Sequence, residues 1–446
     1  MPSLTNREAA ERPLRIAVLA DSDTRWKWGA LTAQRLVEPQ GTAVIDGMLL
    51  RGRATPTERQ LQDTGVRGAH AREVTASGFL AAAGQPDAYD VVLLSCVGGT
   101  VQAMLHGLAH QWRGRERRPT VVTGYVGVVY EKLTDGLLLR HGADMVLANS
   151  AYDAERFRAV YAGVGAGTDG VVECALPFLG GARYTPSDER PHTVTFAVQP
   201  SVPETRQDRL YLLRRAVGHA RKHPGREVLI KLRSKPGEHT THVEELPYQR
   251  LAERLPGGLP INCRLVYGHM GEVLDRTDLL VTVSSTAALE SLHRCVPTAV
   301  LTDLGVRESL GNHYFVGSGC LTSWDRLDAG EVPRADPEWT ARQGVAADEP
   351  YEAAFDTARK RLAELLCAEL PPVAPYYTTT TAGGYLPGIL ARHGLSPDGS
   401  PDPSAAGAPA GGVGGAARRV VRRAARGAYR QGVQRVAPVI RRMGGL

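Results

Sequence analysis

The sequence predicts an α/β protein of two domains, each a parallel sheet covered by helices, with the two sheets facing a central cleft. Three observations predict it. Short apolar runs rich in β-formers alternate with segments of helical spacing from residue 14 to about residue 392. The alternation breaks once, at the glycine-, proline- and charge-rich stretch 179–192, LGGARYTPSDERPH. A length of 446 residues exceeds what one hydrophobic core usually serves. The expected domains are therefore 1–185 and 186–392, followed by a flexible linker over 393–416 and a basic tail over 417–446.

Taken in order, LRIAVLADS reads as a buried parallel strand, and WKWGALTAQRLV as the helix after it. ATPTERQLQ offers Thr55 as N-cap, Pro56 at the first helical position and Glu58 three residues past the cap. YDVVLLS, TVVTGYVG and DMVLANS are further strands, with helices VQAMLHGLAHQW and AYDAERFRAVY among them. The second half repeats the pattern with strands TVTFAVQ, EVLIKLRS, CRLVYGH, LLVTVSS and TAVLTD. Helices are expected at RQDRLYLLRRAVGHARKHP, 270–276 and 286–294, and YEAAFDTARKRLAELLC should close this half.

From SPDGSPDPSAAGAPAGGVGG onward small residues, proline and glycine cannot bury enough apolar area to order a chain. Beyond them, Arg418, Arg419, Arg422, Arg423, Arg426 and Arg430 fall within an arc of about 140° on a helical wheel, opposite valines and alanines. The net charge of +6 belongs to this tail, since residues 403–446 hold nine arginines and no acid, leaving −3 on the first 402 residues. The main body is thus not an expected nucleic-acid binder. The tail could lie on an anionic membrane surface, attract RNA or another polyanion, or only solubilise the chain. No apolar run approaches the ~18 residues of a membrane span, and the N-terminus lacks a signal-peptide pattern, so the expected place is the cytoplasm, peripherally on the inner face of the plasma membrane if the tail binds lipid. Six scattered cysteines match no zinc spacing and are expected reduced and mostly buried.

In open α/β sheets ligands bind beyond the carboxyl ends of the strands, which gives the strand-end loops the most weight. Ser284, Ser285 and Thr286 end one strand and begin a helix, with Glu290 further along that helix. They can cap the helix, or hold a phosphate at its positive end. A nucleophilic serine would need a glycine-flanked elbow and a base, and VSSTA has neither glycine.

DLLVTVSSTAALESLHRCVPTAVL resembles the second-domain signature of GT-B glycosyltransferases, with Cys295 where that signature has glycine. ADSDTRWKW, VVYEKLTDG, FAVQPSVP and KLRSKPGEHTTH resemble, over residues 14–390, an uncharacterised actinobacterial family assigned to the glycosyltransferases. The resemblance implies two Rossmann-like domains, a nucleotide-sugar donor on the second half and an acceptor on the first. The donor would meet Ser284, Ser285, Thr286, Glu290, Lys231, Arg233, Gln199 and His269, with the two basic residues neutralising the leaving phosphate. UDP and CMP sugars both stay open, because Arg233-Ser234 stands where sialyltransferase-like enzymes have His-Pro. Glu238, His239 and His242 could touch nucleotide or acceptor, or form an ordinary polar loop.

An inverting transfer needs a base near the acceptor hydroxyl. Asp23 is the first candidate, Asp21 the second and Glu131 the third, with the unused aspartate or Thr24 capping the first helix. Arg25, Lys27, Trp28, Gly99 and Tyr130 are the expected acceptor contacts, tryptophan packing in the core being the alternative. Neither a metal nor another cofactor is expected. The whole reads as a transferase acting on a cell-surface glycan or a lipid-linked acceptor. A UDP-sugar 2-epimerase-like enzyme and a non-catalytic nucleotide- or glycan-binding protein are the alternatives.

Overall fold

The computed structural model describes residues 12–37, 41–52, 54–128, 132–233, 235, 246–346 and 351–403. The arginine-rich tail, Tyr130, Glu131 and the loop holding Glu238, His239 and His242 lie outside them.

Seven parallel strands form the first sheet: β1 (Leu14–Ala20), β2 (Ala43–Leu50), β3 (Ala71–Val74), β4 (Val91–Ser95), β5 (Thr120–Gly124), β6 (Met145–Ala148) and β7 (Val171–Glu173), in the order β3-β2-β1-β4-β5-β6-β7. Helices α1 (Asp23–Leu36), α2 (Glu58–Gln62), α3 (Ala76–Ala83), α4 (Gly98–Gln111), α5 (Leu133–Leu138) and α6 (Ala151–Gly163) connect them. The central strand shows why the runs are apolar throughout. Along β1, Ala17 and Leu19 enter the core on one face, while Ile16, Val18 and Ala20 enter the core on the other.

The second sheet has six parallel strands: β8 (His192–Ala197), β9 (Arg226–Lys231), β10 (Cys263–Val266), β11 (Leu279–Thr282), β12 (Thr298–Leu301) and β13 (Leu321–Thr322), in the order β10-β9-β8-β11-β12-β13. Its helices are α7 (Arg206–Lys222), α8 (Tyr248–Glu253), α9 (Met270–Leu274), α10 (Ala287–His293), α11 (Trp324–Asp328) and α12 (Pro337–Arg342). Leu279, Val281, Ala299 and Leu301 fill one core of this sheet, and Leu280 and Val300 the other.

Several expectations change. β2 and β3 were not legible as strands, because β2 carries Asp46 and Gly47 and β3 exposes Arg72 and Glu73. The capping box lies two residues later than expected: Thr57 Oγ1 accepts from the Gln60 amide, and the Gln60 side chain accepts from the Thr57 amide. Thr55 instead bonds within the Leu50–Gly52 turn. At the start of α1 the cap is Ser22, between the two aspartates, accepting from the Arg25 amide at 3.4 Å.

The largest change concerns the C-terminal segment. The helix expected to close the second half is α13 (Asp356–Cys367), and its stripe Ala358, Leu362 and Leu365 packs into the core of the first sheet with Ile16, Val18 and Val122. Helix α14 (Leu386–Arg392) follows, with Leu386, Ile389 and Leu390 against the opposite face of that sheet. Leu395 is buried in the same cluster, so packed chain continues past residue 393, where composition alone places a linker. Among the described residues, no helix is long and apolar enough to cross a membrane, and all six cysteines are free, four of them buried.

Candidate functional site

The carboxyl ends of β8, β9 and β11 meet the start of α1 and the end of α2 around a cavity of about 340 Å³. Ser284, Ser285, Thr286, Glu290, Lys231, Arg233, Gln199 and His269 all line it, as do Asp23 and Lys27 from the first sheet's side.

The three hydroxyls separate into three roles. Ser284 is buried, donates to the Leu310 carbonyl at 2.6 Å, and its amide donates to Gln199 Oε1 at 3.0 Å. It therefore fastens the strand-end loop to the neighbouring loop, and Gln199 is its partner. Ser285 Oγ accepts from the Ala287 amide at 3.2 Å, satisfying a donor at the start of α10 from one residue before the cap position, Thr286. Thr286 faces the first sheet: a Cβ on Gly127 would stand 2.9 Å from its hydroxyl, so glycine permits that approach. Cys295, after α10, has φ of 59°, the left-handed conformation in which glycine is unstrained. This accounts physically for the glycine of the signature that the stretch resembles.

Lys231, the last residue of β9, is the most perturbed cation of the cavity. Burial pushes its ammonium down to about 8, with Lys27 and Arg233 acting in the same direction and Asp63 and Glu290 opposing. Its Nζ donates to the Leu232 carbonyl at 2.8 Å. Arg233, two residues on, reaches across the cleft to Asp23 at 2.6 Å and also to the Thr24 hydroxyl. On the other wall, Lys27 stands 3.7 Å from Glu290 and 4.7 Å over the Phe178 ring. His269 is half-buried, and burial followed by the charge of Lys27 lowers its imidazole, favouring the neutral ring.

The arrangement can hold an anion between Lys231, Arg233 and Lys27. It also offers carboxylates, Glu290 and Asp63, to hydroxyl groups. Gln60, Asp63 and Thr64 belong to this wall and were missed. They follow β2, so the strand that went unread hid the strand-end loop that it introduces.

Four expected residues stand elsewhere. Asp21 accepts from the Val97 amide and pairs with Arg25, both at 3.0 Å. That pairing ties the loop before α4 to the end of β1, and neither side chain lines the cavity. Trp28 is fully buried, its Nε1 donating to Asn149 Oδ1 at 3.3 Å, so it is a core residue and not an acceptor platform. Gly99, the second residue of α4, does not line the cavity; a Cβ there would stand 3.9 Å from Ile389 of α14. Tyr130 and Glu131 lie outside the described residues.

Among the described residues, His219, His223 and Asp328 have metal-ligand proximity, away from the cavity. There His219 Nδ1 is 2.6 Å from Asp328, and its Nε2 is 3.2 Å from an Arg226 nitrogen, so both ring nitrogens are engaged.

A family model described as “Putative glycosyltransferase (DUF6716)” matches residues 16–365. No curated protein sequence matches. The solved structures that resemble the chain include a UDP-GlcNAc 2-epimerase from Neisseria meningitidis bound to UDP-GlcNAc, at 11% identity and TM-score 0.46, covering 79% of this chain and 99% of that one. Another is Arabidopsis thaliana UGT89C1 complexed with UDP-L-rhamnose, at 10% identity and TM-score 0.45, covering 86% and 99%. A third is the calicheamicin glycosyltransferase CalG4, at 12% identity and TM-score 0.41, covering 79% and 95%.

Proposed function

The chain belongs to the family described as “Putative glycosyltransferase (DUF6716)”, and from that premise we propose that it moves a sugar from a nucleotide-sugar donor to a glycan or lipid-linked acceptor of the cell envelope. The second sheet's loops receive the nucleotide and the first sheet's side receives the acceptor. One observation carries the reading. Residues from four separated strand-end loops of the second half line a single cavity of about 340 Å³ with Asp23 and Lys27 of the first half, a size in the usual range for small-molecule sites.

Lys231 and Arg233 take the charge of the leaving phosphate in place of a metal. The Thr286 hydroxyl is offered to the same anion, and Glu290 accepts from a donor hydroxyl. Asp23, at the start of α1 and inside the cavity, is the proton acceptor for the acceptor's hydroxyl in an inverting transfer. The arginines of 417–446 bring the enzyme to anionic lipid, where a lipid-linked acceptor would be found.

The test is a thermal-shift panel of UDP, CMP, GDP and their sugars on the full chain. A bound ligand stabilises by RT ln(1 + [L]/Kd), so one nucleotide series should raise the melting temperature in proportion to log concentration. If none shifts it, the donor site is wrong. Isomerisation of UDP-N-acetylglucosamine without an acceptor would make the protein an epimerase instead.

A further inference from the structure

Two ion pairs span the cavity, each with one partner from each half of the chain. Arg233, just beyond β9, holds Asp23 and Thr24 at the start of α1, and Lys27 of α1 faces Glu290 of α10. Among the described residues, the cavity wall holds three cations, Lys27, Lys231 and Arg233, and three carboxylates, Asp23, Asp63 and Glu290. Formal charge is balanced among these described residues. A phosphate-bearing ligand needs cationic donors, and each that it takes must leave a carboxylate or give up a carbonyl.

The carboxylates differ in what else holds them. Asp63 pairs with Arg59 one helical turn away, outside the set that lines the cavity. Asp23 has Arg233 at 2.6 Å and, at 3.3 Å, the hydroxyl of its neighbour Thr24. The guanidinium is a planar fork that matches phosphate as well as carboxylate, and its side chain keeps 30% exposure, enough freedom to turn.

We propose that Arg233 is an exchanged cation. In the free protein it clamps Asp23; when the phosphate of a nucleotide enters, the guanidinium transfers to the phosphate and the Asp23 carboxylate is released into the cavity beside Thr24. The proposal rests on the donor-site reading above and adds an order to it. Asp23 is occupied by Arg233 until the donor is seated, so the carboxylate is free to meet an acceptor hydroxyl only afterwards. Arg233 on this account has two partners in turn, Asp23 in the free protein and the phosphate in the complex.

The exchange is tested without an acceptor, by titration calorimetry of UDP into the full chain at fixed pH and ionic strength. Asp23→Asn removes the internal competitor and should tighten UDP by roughly fivefold, the scale of a partly exposed ion pair. Arg233→Gln should weaken UDP by roughly tenfold or more. In the Arg233→Gln background, Asp23→Asn should change nothing, and that non-additivity is the signature. Inorganic pyrophosphate should follow the same pattern, and uridine, which has no phosphate, should be indifferent to both substitutions.

Unchanged or weaker UDP binding by Asp23→Asn overturns the exchange while leaving the donor site standing, and so does an equal effect on uridine. If wild type binds none of UDP, CMP and GDP, the donor-site reading falls and the exchange falls with it. Denaturant midpoints check that each variant folds. Should Asp23→Asn lose stability at the first position of α1, Asp23→Ser gives the same comparison with a helix-starting side chain in its place.

Discussion

Replacing Lys231 by methionine should make the free protein more stable and deprive it of nucleotide. The ammonium is buried at the end of β9 and lowered from an ordinary value of 10.5 to about 8. At ~1.4 kcal/mol per pH unit, the folded state holds this charge at neutral pH at a cost of about 3 kcal/mol relative to the unfolded chain. Methionine has nearly the same length and needs no hydration, so most of that cost should disappear at pH 7. The sign also fixes a pH window. Between pH 8 and 10.5 the unfolded wild type binds the proton that the folded state has lost, so wild-type stability gains on the variant as pH rises through that range. Urea midpoints of wild type and Lys231→Met at pH 7 and pH 10 measure the difference directly, and subtraction cancels the tyrosines and other lysines that titrate there. The advantage of the variant should shrink toward zero at the higher pH. In parallel, the UDP-induced thermal shift at pH 7 should vanish in the variant, and in wild type it should decline as pH rises above 8. A variant that is less stable at pH 7, or a stability difference that does not change with pH, would refute the account of a buried and strained charge. A full UDP shift in the variant would refute its assignment to the phosphate.

Two further outcomes follow from packing and backbone. Cys295 is a non-glycine residue at φ 59°, so Cys295→Gly should relieve about 1 kcal/mol of left-handed strain, less the flexibility that glycine adds to the unfolded chain, and raise the urea midpoint slightly. Leu362 is 2% exposed in the core beneath the first sheet. Leu362→Ala should therefore cost about 2–5 kcal/mol and speed hydrogen exchange in β1 and β5, whereas exchange concentrated in the second sheet's strands would show that α13 belongs there instead.

What could be read from sequence followed burial. Strands covered on both faces, such as Val91–Ser95 and Leu279–Thr282, are continuous apolar runs and stood out without any structure. Ala43–Leu50 and Ala71–Val74 are exposed in part and carry charge, so their periodicity is diluted, and with them went the loop that supplies Asp63 and Thr64. The site divided along the same line. Hydroxyls and cations at strand ends of the second half converged, because strand direction alone delivers a side chain to that edge of a parallel sheet. The aromatic residue Trp28 went the other way: an indole suits a sugar face or a core equally well, and the sequence has no means of showing that Asn149, 121 positions later, offers its Nε1 a partner. For the same reason no local pattern announced that Arg233 and Asp23 meet, since their separation of 210 residues is bridged only by the assembled halves.

The return of α13 and α14 to the first sheet means that the chain crosses between the sheets twice, once between β7 and β8 and once between α12 and α13. The second sheet is in effect an insertion, tethered at both ends to one host. A graft that exchanges the second half with that of another member of the family must therefore be cut at two joints. A single crossover near residue 185 would give the recipient a foreign α13, whose Ala358, Leu362 and Leu365 would have to fit a core with which they did not evolve. The described ends of the two joints also touch, the Tyr351 hydroxyl donating to the Leu176 carbonyl, so a cut at one joint disturbs the other.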